Sequence, residues 1–347
     1  MRGMLAALSA ALLGMAAALP AASQDMTPYE KELYEAAKKE GEVTWNTAQL
    51  GAEASEAVAA AFTERYPGIK VNVSRSTAQV AFQRLSQDMR AGVAQADLLS
   101  SPAYSHATYL KREGRLLSYR PKNADGMMEA FRNADPDDAF QINHVGLVLI
   151  AYNKEKLSEA EAPKSWKELT DPKWKDKIAV GHPAFSGYVG TWAVMLRKLY
   201  GWDYFEKLEK NEPQIGRSIQ DTVTMLNAGE RLVGASPSAT SLISISRGNP
   251  IGLIYPTDGT LMVPSPSAIL KDAPHPNAAK LFMEFLTNPH YYRVSTKFFS
   301  ESLRPEVPPP VGARPLDQIE LIRPTDEEIE AGLPGVEGLW RATVVLP

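Results

Sequence analysis

Hydroxyl side chains recur at one kind of place in this chain. Thr47, Ser76 and Thr77, Ser100 and Ser101, Ser186 beside Gly187 with Thr191 one turn on, and Ser236 with Ser238 each follow a short strand-like run and precede a helix-like one. In an open α/β sheet such positions lie at the carboxyl ends of strands. There a helix start presents free N–H groups and partial positive charge to a ligand, with the hydroxyls alongside. The chemistry implied is capture rather than bond breaking. One Ser or Thr at such a place is an ordinary N-cap; recurrence along the chain points to a shared polar cleft. Asp258, in the turn Thr257-Asp258-Gly259-Thr260, is the acidic candidate for the same cleft.

Catalytic motifs are missing from the sequence. There is no GxGxxG, GxxxxGK[ST] or HExxH, and Gly234-Ala235-Ser236-Pro237-Ser238 falls one glycine short of a nucleophile elbow. Pro237 also removes the N–H that an oxyanion hole would take from the residue after Ser236. An exported serine hydrolase, with Ser236 as nucleophile and His182 as base, is the rival reading from another class. The histidines stand singly, and the acidic run Asp135 to Asp138 lacks the glycine and distal glutamate of a calcium loop. No metal and no cofactor is expected.

The elements that must position these residues follow from hydrophobic period. Pro28 to Glu40 reads as a surface helix stopped by Gly41. Three strand–junction–helix units then succeed one another, with strands at Glu42 to Trp45, Ile69 to Val73 and Asp97 to Leu99, which predicts a mostly parallel, helix-covered sheet. Val145 to Tyr152 is an unusually long apolar strand and reads as a first crossing between two bodies. Ser165 with Glu168 forms a capping box, and strands at Lys177 to Gly181 and Leu232 to Ala235 each lead through a junction into a helix. Asn249 to Ile269 reads as strand, break, strand. Its several prolines argue against a simple hairpin, so it is taken as the chain leaving one lobe and returning to the other. Pro276 to Leu286 is amphipathic, and past Glu301 a Pro-rich strap should precede a short acidic helix near Asp326 to Ala331.

A chain of 347 residues suits two α/β lobes, since single cores stop growing at about 250–300 residues. A net charge of −4 gives no footprint for nucleic acid. Arg2, the apolar run Met4 to Leu19 and the small residues Ala21-Ala22-Ser23 read as an export signal cleaved after Ser23. With no cysteine there is no thiolate site and no lipid-modified cysteine, and no later stretch is apolar for long enough to span a bilayer. The expectation is a soluble, exported, monomeric protein of the periplasm without a membrane anchor.

The order of units, the crossing strand ending in Tyr152-Asn153, the Ala228-Gly229-Glu230 turn before a strand, the stretch YPTDGT and the helix PHPNAAKLFMEFL resemble the substrate-binding proteins of ABC importers. The nearest branch is the type II group of ferric-iron, phosphonate and polyamine binders. The resemblance implies two α/β lobes joined by two crossover strands, a solute held between them and delivery to permease subunits. It places lobe one at 24–142 plus 260–347 and lobe two at 143–259. Iron-binding relatives carry a tyrosine pair where this chain reads Ala235-Ser236-Pro237-Ser238, and Tyr291-Tyr292 lies in a helical region suited to packing. Polyamine binders use carboxylates and aromatics, for which only Asp258 and Asp221 stand ready. Hydroxyls and helix starts suit an anion such as a phosphonate, phosphate ester or carboxylate, with Arg75 or His182 as charge partner. Ferric iron in an atypical site is the alternative cargo, and a receptor kinase the alternative partner.

Overall fold

The computed structural model describes residues 26–343; the export signal expected over 1–23 lies outside them. The first helix, α1 (Pro28–Glu40), is begun by Thr27, whose hydroxyl accepts the Glu30 N–H at 3.1 Å, and is ended by Gly41 at φ 78°. Both termini thus carry the residues that helix ends demand. Three strand–helix units follow as β1 (Glu42–Thr47), α2 (Ala52–Arg65), β2 (Lys70–Arg75), α3 (Ala78–Arg90), β3 (Leu98–Ser100) and α4 (Tyr104–Arg112). β1 pairs in parallel with β2 and with β3. Strand period divides the side chains. Val43, Trp45 and Leu98 enter a core with Phe62, Phe282 and Phe285, whereas Leu99 faces the other way, against Ala81, Leu85 and Leu110.

After α5 (Glu129–Arg132) the chain enters β4 (Gln141–Asn153), which starts earlier than its apolar run because Gln141 and Ile142 already pair with the strand that follows later in the chain and are buried, as is Asn143. Then come β5 (Ile178–Gly181), α6 (Gly187–Tyr200), α7 (Asp203–Glu209), β6 (Gln214–Gly216), α8 (Gln220–Asn227), β7 (Val233–Pro237), α9 (Ser238–Ser246), β8 (Ile251–Ile254) and β9 (Thr260–Ile269). The helix expected at Ser165 is only a short 3-10 turn, Lys167–Thr170, although the Glu168 N–H does bond the Ser165 hydroxyl at 3.2 Å. The chain closes with α10 (Pro276–Thr287), α11 (Pro289–Ser295), β10 (Leu321–Ile322) and α12 (Asp326–Thr343).

The sheet runs β2-β1-β3-β9-β4-β7-β5-β6, with β8 beside β4 and β10 beside β9. β8 and β9 flank β4 at different heights: β9 pairs with Gln141 to Val148, and β8 with Ile150 to Asn153. The strand–break–strand reading of Asn249 to Ile269 is therefore what forms. Its prolines are tolerated for a specific reason. The Pro266 carbonyl accepts the Ser101 N–H at 3.0 Å, so the side of β9 that lacks an N–H faces away from β4.

β4 and β9 tie together two apolar cores. The first holds Val145 and Leu147 with residues from α1, α2, α10 and α11; the second holds Val148, Ile150 and Tyr152 with Trp166, Trp192 and Phe205. β5 and β7 run parallel in the second body, as β1 to β3 do in the first. α12 is longer than the short acidic helix expected, because Val336 and Trp340 have a partner surface: both join the second core. Tyr291 and Tyr292 are fully buried in the first core, and the Tyr292 hydroxyl donates to the Asn143 carbonyl at 2.8 Å.

Candidate functional site

A cavity of about 500 Å³ opens between the two cores, a size suited to a small solute. Its floor is the middle of β4, His144 to Leu147. A bulge falls just before it, since the register slips between Ile142 and His144. Gly146 is required in that floor: a Cβ there would lie 2.0 Å from the Tyr188 hydroxyl, and Tyr188 itself lines the cavity. The two bodies approach closely beside it, where a Cβ on Gly187 would sit 3.1 Å from the Ala103 nitrogen.

Helix starts make the walls. α2 and α3 present theirs from the first body, at Gly51 to Glu53 and at Thr77-Ala78; α6 and α9 present theirs from the second, at Ser186-Gly187 and at Ser238-Ala239. None of these four starts is closed by a side-chain cap. First-turn N–H groups without an intrahelical partner, and the positive ends of four helices, are thereby gathered around one space.

Of the residues picked out by the junction rule, Ser76, Thr77, Ser186, Gly187 and Ser238 line this cavity. The others do not, and each has a local reason. Thr47, at the end of β1, is fully buried beneath it. The Ser100 hydroxyl accepts from the Trp45 indole at 2.8 Å and bonds Ser267, closing a buried chain between strands. Ser101 shares a hydrogen bond with His106 at 3.1 Å and accepts the Ala103 N–H. Thr191 is buried inside α6, on the turn after the one that reaches the cavity. Ser236 lies within β7, completely buried, and shares a hydrogen bond with Ser241 at 2.6 Å; a nucleophile needs access that it lacks.

Asp258 is placed elsewhere. Its carboxylate accepts the N–H groups of Trp166 and Lys167 at 3.0 and 3.2 Å and the Tyr200 hydroxyl at 2.5 Å, so it fastens a loop of the second body. Asp258→Ala should therefore lower stability by about 1–3 kcal/mol, because three donors lose their acceptor. A reduced urea midpoint with unchanged solute affinity is the expected observation.

The charged residues lining the cleft are Arg75 and Arg247 with Glu53, Asp221 and Glu301, and the Asp221 carboxylate accepts the Ser218 N–H at 3.0 Å. Arg75 is exposed, with Nε donating to the Leu50 carbonyl at 3.3 Å. His182 does not line the cleft; it is buried with Nδ1 accepting the Ala184 N–H, and its ring packs against Phe185 and Trp340. Burial lowers the His144 pKa to about 4, so the floor imidazole is neutral at physiological pH. At the mouth, Arg247 beyond α9 reaches Glu53 of α2 at 3.7 Å, an exposed pair that spans the two bodies and is worth at most about 1 kcal/mol.

Residues that the junction rule missed also line the cavity, among them Gln49, His144, Tyr188, Asn227, Asn249 and Glu301. The first has a near signal, two positions past Thr47. His144 is disguised inside an apolar strand, and Glu301 belongs to a loop far along the chain that only the fold brings back.

Comparison with known proteins agrees with this arrangement. The profile of a family described as bacterial extracellular solute-binding protein matches residues 96–330, more than half of the chain. A Salmonella typhimurium protein provisionally named as 2-aminoethylphosphonate-binding and periplasmic is 25% identical over 201 residues, 54% of either chain. Among solved structures, the periplasmic binding protein AfuA of Actinobacillus pleuropneumoniae, with fructose-6-phosphate bound, superimposes with a TM-score of 0.79 at 22% identity, covering 88% of this chain and 99% of its own. Iron-bound HitA of Pseudomonas aeruginosa gives 0.76 at 18% identity, covering 88% and 99%. At such identities the likeness to the two structures is one of fold.

Proposed function

Since this chain belongs to the bacterial extracellular solute-binding proteins, with the type II periplasmic binding fold of ABC importers, we propose that its cleft captures a small anion, a phosphonate, phosphate ester or carboxylate. The observation that carries this reading is the convergence of four uncapped helix starts, two from each body, on one cavity. Each offers N–H donors to oxygen atoms, and no strong cation is needed to hold an anion so surrounded. Arg75 stands at the edge as charge partner. Ser76, Thr77 and Ser186 add hydroxyl donors that adapt to the shape of the head group, while the Ser238 hydroxyl, also in the lining, donates to Glu301.

Capture draws together two lobes about the crossing strands, one built on 24–142 plus the chain from 260 onward and the other on 143–259, with α12 packed against the second. A solute that touches both stabilises the closed form by the difference in its contacts, and the permease subunits of the importer read that form. The protein acts as a soluble monomer in the periplasm, with no nucleic-acid partner and no chemistry performed on its cargo. Phosphonate and phosphate cargo are also what the names of the Salmonella relative and of the AfuA complex describe for those proteins.

The test is a thermal-shift panel of phosphonates, sugar phosphates, phosphate esters and organic acids, with Fe³⁺ and polyamines as the competing cargoes. At a concentration a hundred times its dissociation constant, the true class adds about 2.7 kcal/mol and raises the melting temperature by several degrees. A shift with Fe³⁺ or a polyamine and with no anion would overturn the reading.

A further inference from the structure

Glu301 follows the short turn after α11 and belongs to the chain of the first body, yet it lines the cleft while only 2% exposed. The backbone is bent to put it there. Phe299, two residues earlier, adopts φ 62°, a left-handed conformation that a bulky residue takes only when its surroundings force it. One carboxylate oxygen, Oε1, accepts the hydroxyl of Ser238, the first residue of α9, at 3.2 Å. The other, Oε2, is buried with no partner, and no Lys, Arg or His among the described residues forms an ion pair with Glu301. Both amide atoms of Gln49, 6% exposed on the facing wall, are likewise without partners.

A buried carboxylate oxygen that borders a cavity and lacks a donor is an acceptor waiting for one. It would also repel a cargo that carried only negative charge. We propose that the cargo is a zwitterion, whose anionic head sits at the helix starts and whose primary ammonium group is taken by Glu301. Glu301 is then the residue that selects amino-bearing solutes over their unsubstituted analogues. This rests on the anion-capture reading above and adds the second pole of the cargo. An ammonium group supplies three donors and one charge, and the hydrogen bonds it makes to a carboxylate are of the strong, charge-assisted kind.

Protonation supports the assignment. Burial pushes the Glu301 carboxyl up to about 7, the Ser238 hydroxyl opposing this. The titratable groups facing it are the Tyr188 and Tyr255 phenols, both with raised pKa and neutral at physiological pH. In the free protein the contribution of this carboxyl to stability is complete below its ordinary value of 4.5 and is lost as the pH rises through about 7. An arriving ammonium group favours the ionised form, so capture near pH 6.5 should release a proton, and affinity should fall as the pH is lowered from 7 to 5.

The experiment is titration calorimetry of the wild-type protein and Glu301→Gln with two matched pairs, 3-aminopropylphosphonate against propylphosphonate and O-phosphoethanolamine against ethyl phosphate. The wild type should prefer the amino member by about 30-fold in at least one pair, as expected for a hydrogen bond to a charged group. Glu301→Gln should reduce that preference to about 3-fold or less. Proton release at pH 6.5, read from buffers of different ionisation enthalpy, should vanish in the variant. Equal affinities within both pairs for the wild type, or a preference that survives Glu301→Gln, overturn the zwitterion assignment and leave anion capture standing. Failure of every member to bind overturns both. A role for Glu301 only as a bond between the two bodies predicts a changed melting temperature with the amino preference intact, and that result also overturns the proposal.

Discussion

Ser186→Asp is expected to leave the free protein as stable as before, or more so, while weakening capture of an anion by about 100-fold, the equivalent of about 2.7 kcal/mol. Ser186 occupies the N-cap of α6 with extended backbone, φ −132° and ψ 117°, but makes no side-chain capping bond. A carboxylate at that place bonds the orphan N–H groups and meets the positive helix end, a gain of about 0.3–1 kcal/mol. The same carboxylate then stands in the cavity where the cargo brings its own charge. Two like charges about 4 Å apart repel by about 4 kcal/mol at the effective dielectric of a protein surface. Ser186→Asn, a cap of the same size without charge, should retain capture. Thermal melting and calorimetry on the three proteins decide the matter: undiminished anion affinity in Ser186→Asp would mean that this helix start does not face the charge of the cargo. A protein that gains stability by losing its ligand is what an uncapped binding helix predicts.

Replacing Trp340 by alanine should remove about 3–5 kcal/mol of stability, the range for a large aromatic deleted from a packed core. The side chain is 1% exposed and meets Phe205 edge-on at 5.6 Å between ring centres, with Val336 fully buried one turn earlier. The loss should appear as a lower urea midpoint. Val311→Ala, at 86% exposure in the Pro-rich strap, is the control and should change stability by no more than about 0.5 kcal/mol. A Trp340 variant within 1 kcal/mol of the parent would show that α12 lies on the second core without supporting it. The result bears on capture as well, because α12 also touches α4 of the first body: Arg112 of α4 pairs with Glu330, and Lys198 of α6 pairs with Glu328. The helix thus has a foothold on each side of the cleft.

Wherever an element is governed by its own side chains, it was legible beforehand. α1 with its Gly41 stop, the three strand–helix units and the break at Pro256 all follow from period and from residues that end helices or strands. The junction rule reached Ser76, Thr77, Ser186, Gly187 and Ser238 for the same reason: a hydroxyl between a strand and a helix sits at a strand's carboxyl end whatever else the chain does. It overreached at Ser236, because strand pairing with β4 continues through Ser236 and Pro237 and seals that hydroxyl in the sheet. Likewise Ser100 bonds across to Ser267 on a strand far along the chain. A junction has a hydroxyl at its start and another at its end, and local pattern does not say which one the neighbouring strand will cover.

Local sequence alone determined that this chain would make parallel strand–helix units, with polar residues and helix starts at the strands' carboxyl ends, because side-chain period and capping act over a few residues. The facing of two such sets across one cavity was decided by β4 and β9, whose pairing joins residues more than a hundred positions apart. The same long-range packing put Asp258 under a loop, Trp340 in the second core and Glu301 beside Ser238. Whether a polar residue meets solvent, a partner or a ligand depends on what lies opposite it, and what lies opposite is set by tertiary contacts that no local window contains.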